Sequence, residues 1–105
     1  MRIAVIGDED TVNCFRLAGF EDVRKVKDIE ETKKCIDEIV GQKEFALIII
    51  SDVLANRIRS KINNITEEIK YPIIISIPSF DGPKGQSFDP IVELIRRKTG
   101  IDLKT

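Results

Sequence analysis

The sequence predicts an α/β domain built on an open, mostly parallel four-stranded sheet with helices on both faces, followed by a tethered C-terminal helix. Three observations carry this expectation. Apolar runs at residues 3–6, 45–50 and 73–77 are short and continuous rather than alternating, as strands covered on both faces are. Between them lie stretches whose apolar residues recur at steps of three or four, the spacing of amphipathic helices. A length of 105 residues is enough for one domain with its own core and too little for two.

Ile3-Ala4-Val5-Ile6, ending in Gly7, reads as the first strand. Asp10-Thr11 offers an N-cap to a short helix lined on one side by Val12, Phe15 and the Leu17-Ala18 pair, which Gly19 closes. Residues 23–26 alternate apolar and basic side chains, which suits a strand at the sheet edge, where lysines discourage edge-to-edge pairing. Asp28 caps a second helix with Ile29, Ile36, Ile39 and Val40 inward, charged residues outward and Gly41 near its end. The run at 45–50 is the most apolar of the chain and is expected at the sheet centre, with Ser51-Asp52 ending it. Leu54, Ile58, Ile62, Ile65 and Ile69 then follow helical spacing, with Asn63-Asn64 a candidate break into two short helices. Tyr71-Pro72 stops that pattern ahead of the fourth strand at 73–77. Right-handed crossovers between parallel strands leave few topologies for this order of elements, and a flavodoxin/receiver-like strand order 2-1-3-4 is expected.

Composition changes after Ile77. Pro78, Asp81, Gly82, Pro83, Lys84, Gly85 and Gln86 form a breaker-rich segment that reads as a hinge. Asp89-Pro90 then starts a helix with Phe88, Ile91, Val92 and Ile95 in one apolar stripe and Arg96, Arg97 and Lys98 in its last turn, before Gly100. The expected division is therefore a Rossmann-like domain at 1–78 and a linker with a mobile C-terminal helix at 79–105.

Seventeen Lys and Arg against eighteen Asp and Glu give a net charge of −1, which supplies no whole-chain attraction to nucleic acid or anionic lipid. With no histidine in the chain, neither a Ser-His-Asp or Cys-His pair nor a histidine-containing zinc site can be assembled. Cys14 and Cys35 have neither CxxC spacing nor further thiols beside them, and read as small buried hydrophobes of a reduced compartment rather than a disulfide. No export signal is expected, because the first apolar run is followed at once by Asp8, Glu9 and Asp10. No apolar run approaches the roughly 20 residues that span a bilayer.

Asp8, Glu9 and Asp10 follow the first strand and Asp52 follows the third, so all stand at the carboxyl edge, where α/β sheets bind ligands. Converging there, Asp8 and Glu9 could hold Mg²⁺ and present Asp52 as a phosphoacceptor. This resembles a response-regulator receiver, with Ser76 near that family's fourth-strand hydroxyl. The chain departs from that pattern by entering the Pro/Gly segment instead of a fifth strand, and Lys84 lies in a loop. The plainer reading is that Asp8 to Asp10 and Asp52 cap helices and complement their dipoles. Gly7 followed by three acids is the opposite of a phosphate cradle, and neither GxGxxG nor GxxxxGK[ST] occurs. The basic clusters at 57–61 and 96–98 lack interleaved aromatics and read as solvated or protein-facing surface. The C-terminal helix can pack on the sheet as a last core element, or leave on its hinge to lie in a partner's groove or along a coiled coil.

Several segments together resemble the F subunit of archaeal (A-type) and V-type rotary ATPases. They are Ile3-Ala4-Val5-Ile6-Gly7-Asp8, the run Cys14-Phe15-Arg16-Leu17-Ala18-Gly19-Phe20, the strand between Pro72 and Pro78, and Leu94-Ile95 through Gly100-Ile101-Asp102-Leu103. The resemblance spans essentially the whole chain, and Cys14 stands where the family often has Gly. It implies a non-catalytic central-stalk subunit without a cofactor or metal, on the cytoplasmic side of the cell membrane as a peripheral part of the ATPase. It further implies binding to the coiled-coil D subunit, and a mobile C-terminal helix that reaches the catalytic A and B subunits. Within that helix, Phe88, Ile91, Val92 and Ile95 are expected as apolar anchors, and Arg96 and Arg97 as charged contacts.

Overall fold

A computed structural model describes residues 2–78. Within them the order is β1 (Arg2–Gly7), α1 (Glu9–Leu17), β2 (Val23–Lys25), α2 (Ile29–Gln42), β3 (Phe45–Ser51), α3 (Asp52–Arg57), α4 (Arg59–Glu68) and β4 (Ile73–Ile77). The strands form one parallel sheet in the order β2-β1-β3-β4, as the sequence predicts. The expected linker and C-terminal helix at 79–105 lie outside the described residues.

The pleat sorts the core into two halves. Pairing of Ala4 with Ile48, Ile6 with Ile50 and Ile48 with Ile74 places these side chains on one face. They pack there with Val26, Cys35, Ile36 and Ile39, and with Ala55, Ile58 and Ile62. Val5, Leu47, Ile49, Ile75 and Ile77 point to the other face and pack with Phe15 of α1. Right-handed crossovers require this division: β1 to β2 steps one way across the sheet, whereas β2 to β3 and β3 to β4 step the other way. Hence α1 covers one face and α2, α3 and α4 the opposite one. Ala4, Ile6, Ile48, Ile49 and Ile50 are buried completely, which contributes about 1.5–3 kcal/mol for each large aliphatic side chain.

Local chemistry sets most of the element ends. Asp28 has extended backbone angles and accepts a 2.8 Å hydrogen bond from the Glu31 amide, while Glu31 reaches back to accept from the Lys27 amide at 2.9 Å. Gly19, with φ of 100°, supplies the left-handed residue past α1. At the end of α2 that conformation falls not to Gly41, which lies inside the helix, but to Lys43, with φ of 57°.

Three local expectations are corrected. The cap of α1 is Asp8, whose carboxylate accepts from the Thr11 amide at 3.0 Å; Asp10 and Thr11 lie inside the first turn. Leu17 is 89% exposed, because two residues past Phe15 is about 200° around a helix and points away from the core. The break in the third crossover falls at Ile58, between α3 and α4, and Asn63-Asn64 lie within α4. Ile58 is buried, so the turn there brings Ala55, Ile58 and Ile62 together under the sheet.

Candidate functional site

The strand order reverses direction between β1 and β3, so the carboxyl ends of these strands form the crevice where open α/β sheets place their ligands. Gly7-Asp8 stand on one side and Ser51-Asp52 on the other. A Cβ on Gly7 would lie 2.8 Å from both Cβ and Cγ2 of Thr11, so the crevice floor is closed by the packing of α1 against the strand end. Thr11 and Ser51 are buried there.

The carboxylates do not gather into a metal site. Asp8 is engaged with the Thr11 amide, Glu9 and Asp10 are exposed in the first turn of α1, and Asp52 occupies the first turn of α3. Among the described residues no three His, Cys, Asp or Glu side chains stand close enough to share a cation. The donor set that Mg²⁺ would need with Asp52, Asp8 and Glu9 is therefore not assembled. Ser76, on β4, pairs with Ile50 of β3 and serves the sheet. The acids act as helix-terminal residues at the positive ends of α1 and α3.

The two cysteines are free and stand on opposite sides of the sheet, Cys14 half-buried on α1 and Cys35 buried on α2. Burial pushes the Cys35 thiol pKa up, against the opposing pull of the Arg24 guanidinium, which makes it a poor nucleophile. Burial also disfavours the charge on Arg24, but its hydrogen bond and attraction to Asp22 outweigh this and leave its pKa raised. Asp22 ties Arg24, at 3.0 Å, to Arg2, which also pairs with Glu44 at 3.0 Å and lies 5.0 Å over the Phe45 ring. This network fastens the amino edges of β1, β2 and β3 and serves structure.

Of the residues expected at a partner interface, Phe88, Ile91, Val92, Ile95, Arg96 and Arg97 all lie outside the described residues. A groove between α2 and the α3–α4 junction had no counterpart in the sequence reading as a site. It is open to solvent, has a volume of about 530 Å³ and brings Lys33 to the cluster Arg57, Arg59 and Lys61. The 57–61 cluster was legible in the sequence, whereas its meeting with Lys33 depends on how α2 packs.

The chain matches the family model for the ATP synthase (F/14-kDa) subunit over residues 3–95. It is 39% identical to the F subunit of the A-type ATP synthase of Methanocaldococcus jannaschii over 104 residues, covering 99% of this chain and 100% of that protein. It is 38% identical over the same span to the protein of that name in Methanococcus maripaludis, again covering 99% and 100%. The Methanothermobacter thermautotrophicus protein of the same name is 34% identical over 101 residues, 96% of this chain and 94% of that one.

Proposed function

The chain belongs to the family of the ATP synthase (F/14-kDa) subunit, and from that membership we propose that it is the F subunit of the central stalk of an A-type or V-type rotary ATPase. As a member it is a subunit of an ATP synthase and not itself an enzyme. The observation that carries the proposal is similarity over nearly the full length to proteins named as the F subunit of A-type ATP synthases.

In this reading the α/β domain rides on the coiled-coil D subunit. The C-terminal helix moves between a retracted position on its own sheet and an extended one toward the catalytic A and B subunits. Phe88, Ile91, Val92 and Ile95 are the apolar anchors that exchange partners, and Arg96 and Arg97 make charged contacts. The protein thereby helps couple catalysis in the head to ion translocation, as a peripheral part of the complex on the cytoplasmic side of the membrane. No helix among the described residues is long and apolar enough to cross a bilayer. One feature of the fold supports a retracted position: α1 lies chiefly over β1 and β2, whereas the apolar face it shares continues through Leu47, Ile49, Ile75 and Ile77 of β3 and β4.

Coexpression with the coiled-coil subunit of its own complex tests the reading. A stable one-to-one complex through size-exclusion chromatography is expected. Recovery of the two chains as separate species overturns it. Transfer of phosphate to Asp52 from a small phosphodonor with Mg²⁺, read by intact mass, would establish the receiver-like alternative instead.

A further inference from the structure

We infer that the groove between α2 and the α3–α4 junction docks an acidic segment of a partner protein. Lys33 from one wall and Arg57, Arg59 and Lys61 from the other line it, with Asn56 and Asn64 among its polar neighbours. Of the four cations, Lys61 alone is neutralised among the described residues, by Asp37 at 2.7 Å. Arg59 donates to the neutral side chain of Asn56.

The charge is concentrated against local preference. Helix α4 begins at Ile58 without a side-chain cap and with no acid in its first turn, where Arg59 and Lys61 stand at the positive end of the helix dipole. In a chain of net charge −1 this is segregation of charge rather than a basic protein overall. The groove is open to solvent and, at about 530 Å³, wide enough for several side chains. Two guanidinium groups favour planar, bidentate pairing with carboxylates. An acidic helix or strand fits this chemistry, its carboxylates complementing the positive end of the α4 dipole as well.

The first test uses the full chain with octaglutamate as probe, followed by amide NMR. Signals of Lys33, Arg57, Arg59, Ser60 and Lys61 are expected to move together, and binding is expected to weaken about tenfold between about 50 and 200 mM salt. Arg57→Glu/Arg59→Glu should abolish binding while Lys25→Glu/Lys27→Glu, on the β2 edge, retains it. If charge reversal disturbs the fold, Arg57→Gln/Arg59→Gln should still weaken binding several-fold. Undiminished binding by these arginine variants, or shifts scattered over every basic surface, overturns the inference. So does tighter binding of inorganic phosphate or oligothymidylate, which would assign the groove to phosphate groups or nucleic acid.

A second test rests on the reading as an ATP synthase subunit and uses the assembled enzyme with a zero-length carbodiimide crosslinker. The isolated chain should yield the internal Lys61–Asp37 link. In the assembly, Lys33 or Lys61 should join an Asp or Glu of another subunit, and finding the internal link alone overturns the inference. Failure of the chain to enter the assembly would sink the reading as a stalk component and leave the peptide titration to decide the groove.

Discussion

Single residues hold the strand and helix ends in this domain, and their constraints differ in kind. Gly7 is fixed by space: the Thr11 side chain that a Cβ would meet at 2.8 Å is fully buried and cannot swing aside. Gly7→Ala should therefore cost about 1–3 kcal/mol by overpacking, read as a lower urea midpoint. Lys43 is fixed by backbone angle. With φ of 57° and an exposed side chain, Lys43→Gly should relieve left-handed strain and stabilise by up to about 1 kcal/mol after the loss of unfolded-state restriction. Cys35 couples burial to pH. Its folded pKa is raised above the ordinary thiol value by burial, so the folded chain holds the thiol proton more tightly than the unfolded chain does. The associated stability is fully present below the ordinary thiol pKa and is lost as pH rises through the raised value. Replacing the thiol by Cys35→Ala should flatten the fall in urea midpoint as pH rises above the ordinary thiol pKa, even though its absolute stability is lower.

At the scale of elements, the strands were legible because a doubly covered parallel strand must be an unbroken apolar run. Residues 3–6, 45–50 and 73–77 have no other use for so many β-branched side chains. The helix break at Ile58 was not legible for an equally physical reason. Ala55, Ile58 and Ile62 keep three- and four-residue spacing across the turn, so periodicity carries no mark of it, whereas Asn63-Asn64 look like breakers and are simply exposed helix. The acids after β1 were legible as helix-terminal groups, but which one caps depended on Asp8 taking extended angles directly after Gly7. That assignment makes a discriminating prediction. Asp8→Ala should cost about 1 kcal/mol, while Asp8→Asn, which caps equally well, should cost almost nothing. A carboxylate required for cation binding would not tolerate the amide, so thermal midpoints of the two variants with and without Mg²⁺ separate the roles.

At the scale of the whole molecule, the two sheet faces are unequally furnished. One face carries α2, α3 and α4, while α1 lies chiefly over β1 and β2 of the other. The stripe Phe88, Ile91, Val92 and Ile95 could be read in the sequence as amphipathic, but periodicity alone does not encode which surface covers such a stripe. The groove at Lys33 has the same origin, since its charges come from segments more than twenty residues apart. Deleting residues from Pro90 onward separates a core helix from a switching one. If the helix exchanges partners, the truncated chain should keep its secondary structure and cooperative unfolding, and should bind a hydrophobic dye more strongly than the full chain by exposing the β3–β4 part of the α1 face. Reconstituted into the ATP synthase, it should also alter the rate of ATP hydrolysis without dissociating from the stalk. Loss of cooperative unfolding on truncation would make the helix part of the core. A reconstituted enzyme indistinguishable from the intact one would leave that helix no regulatory role.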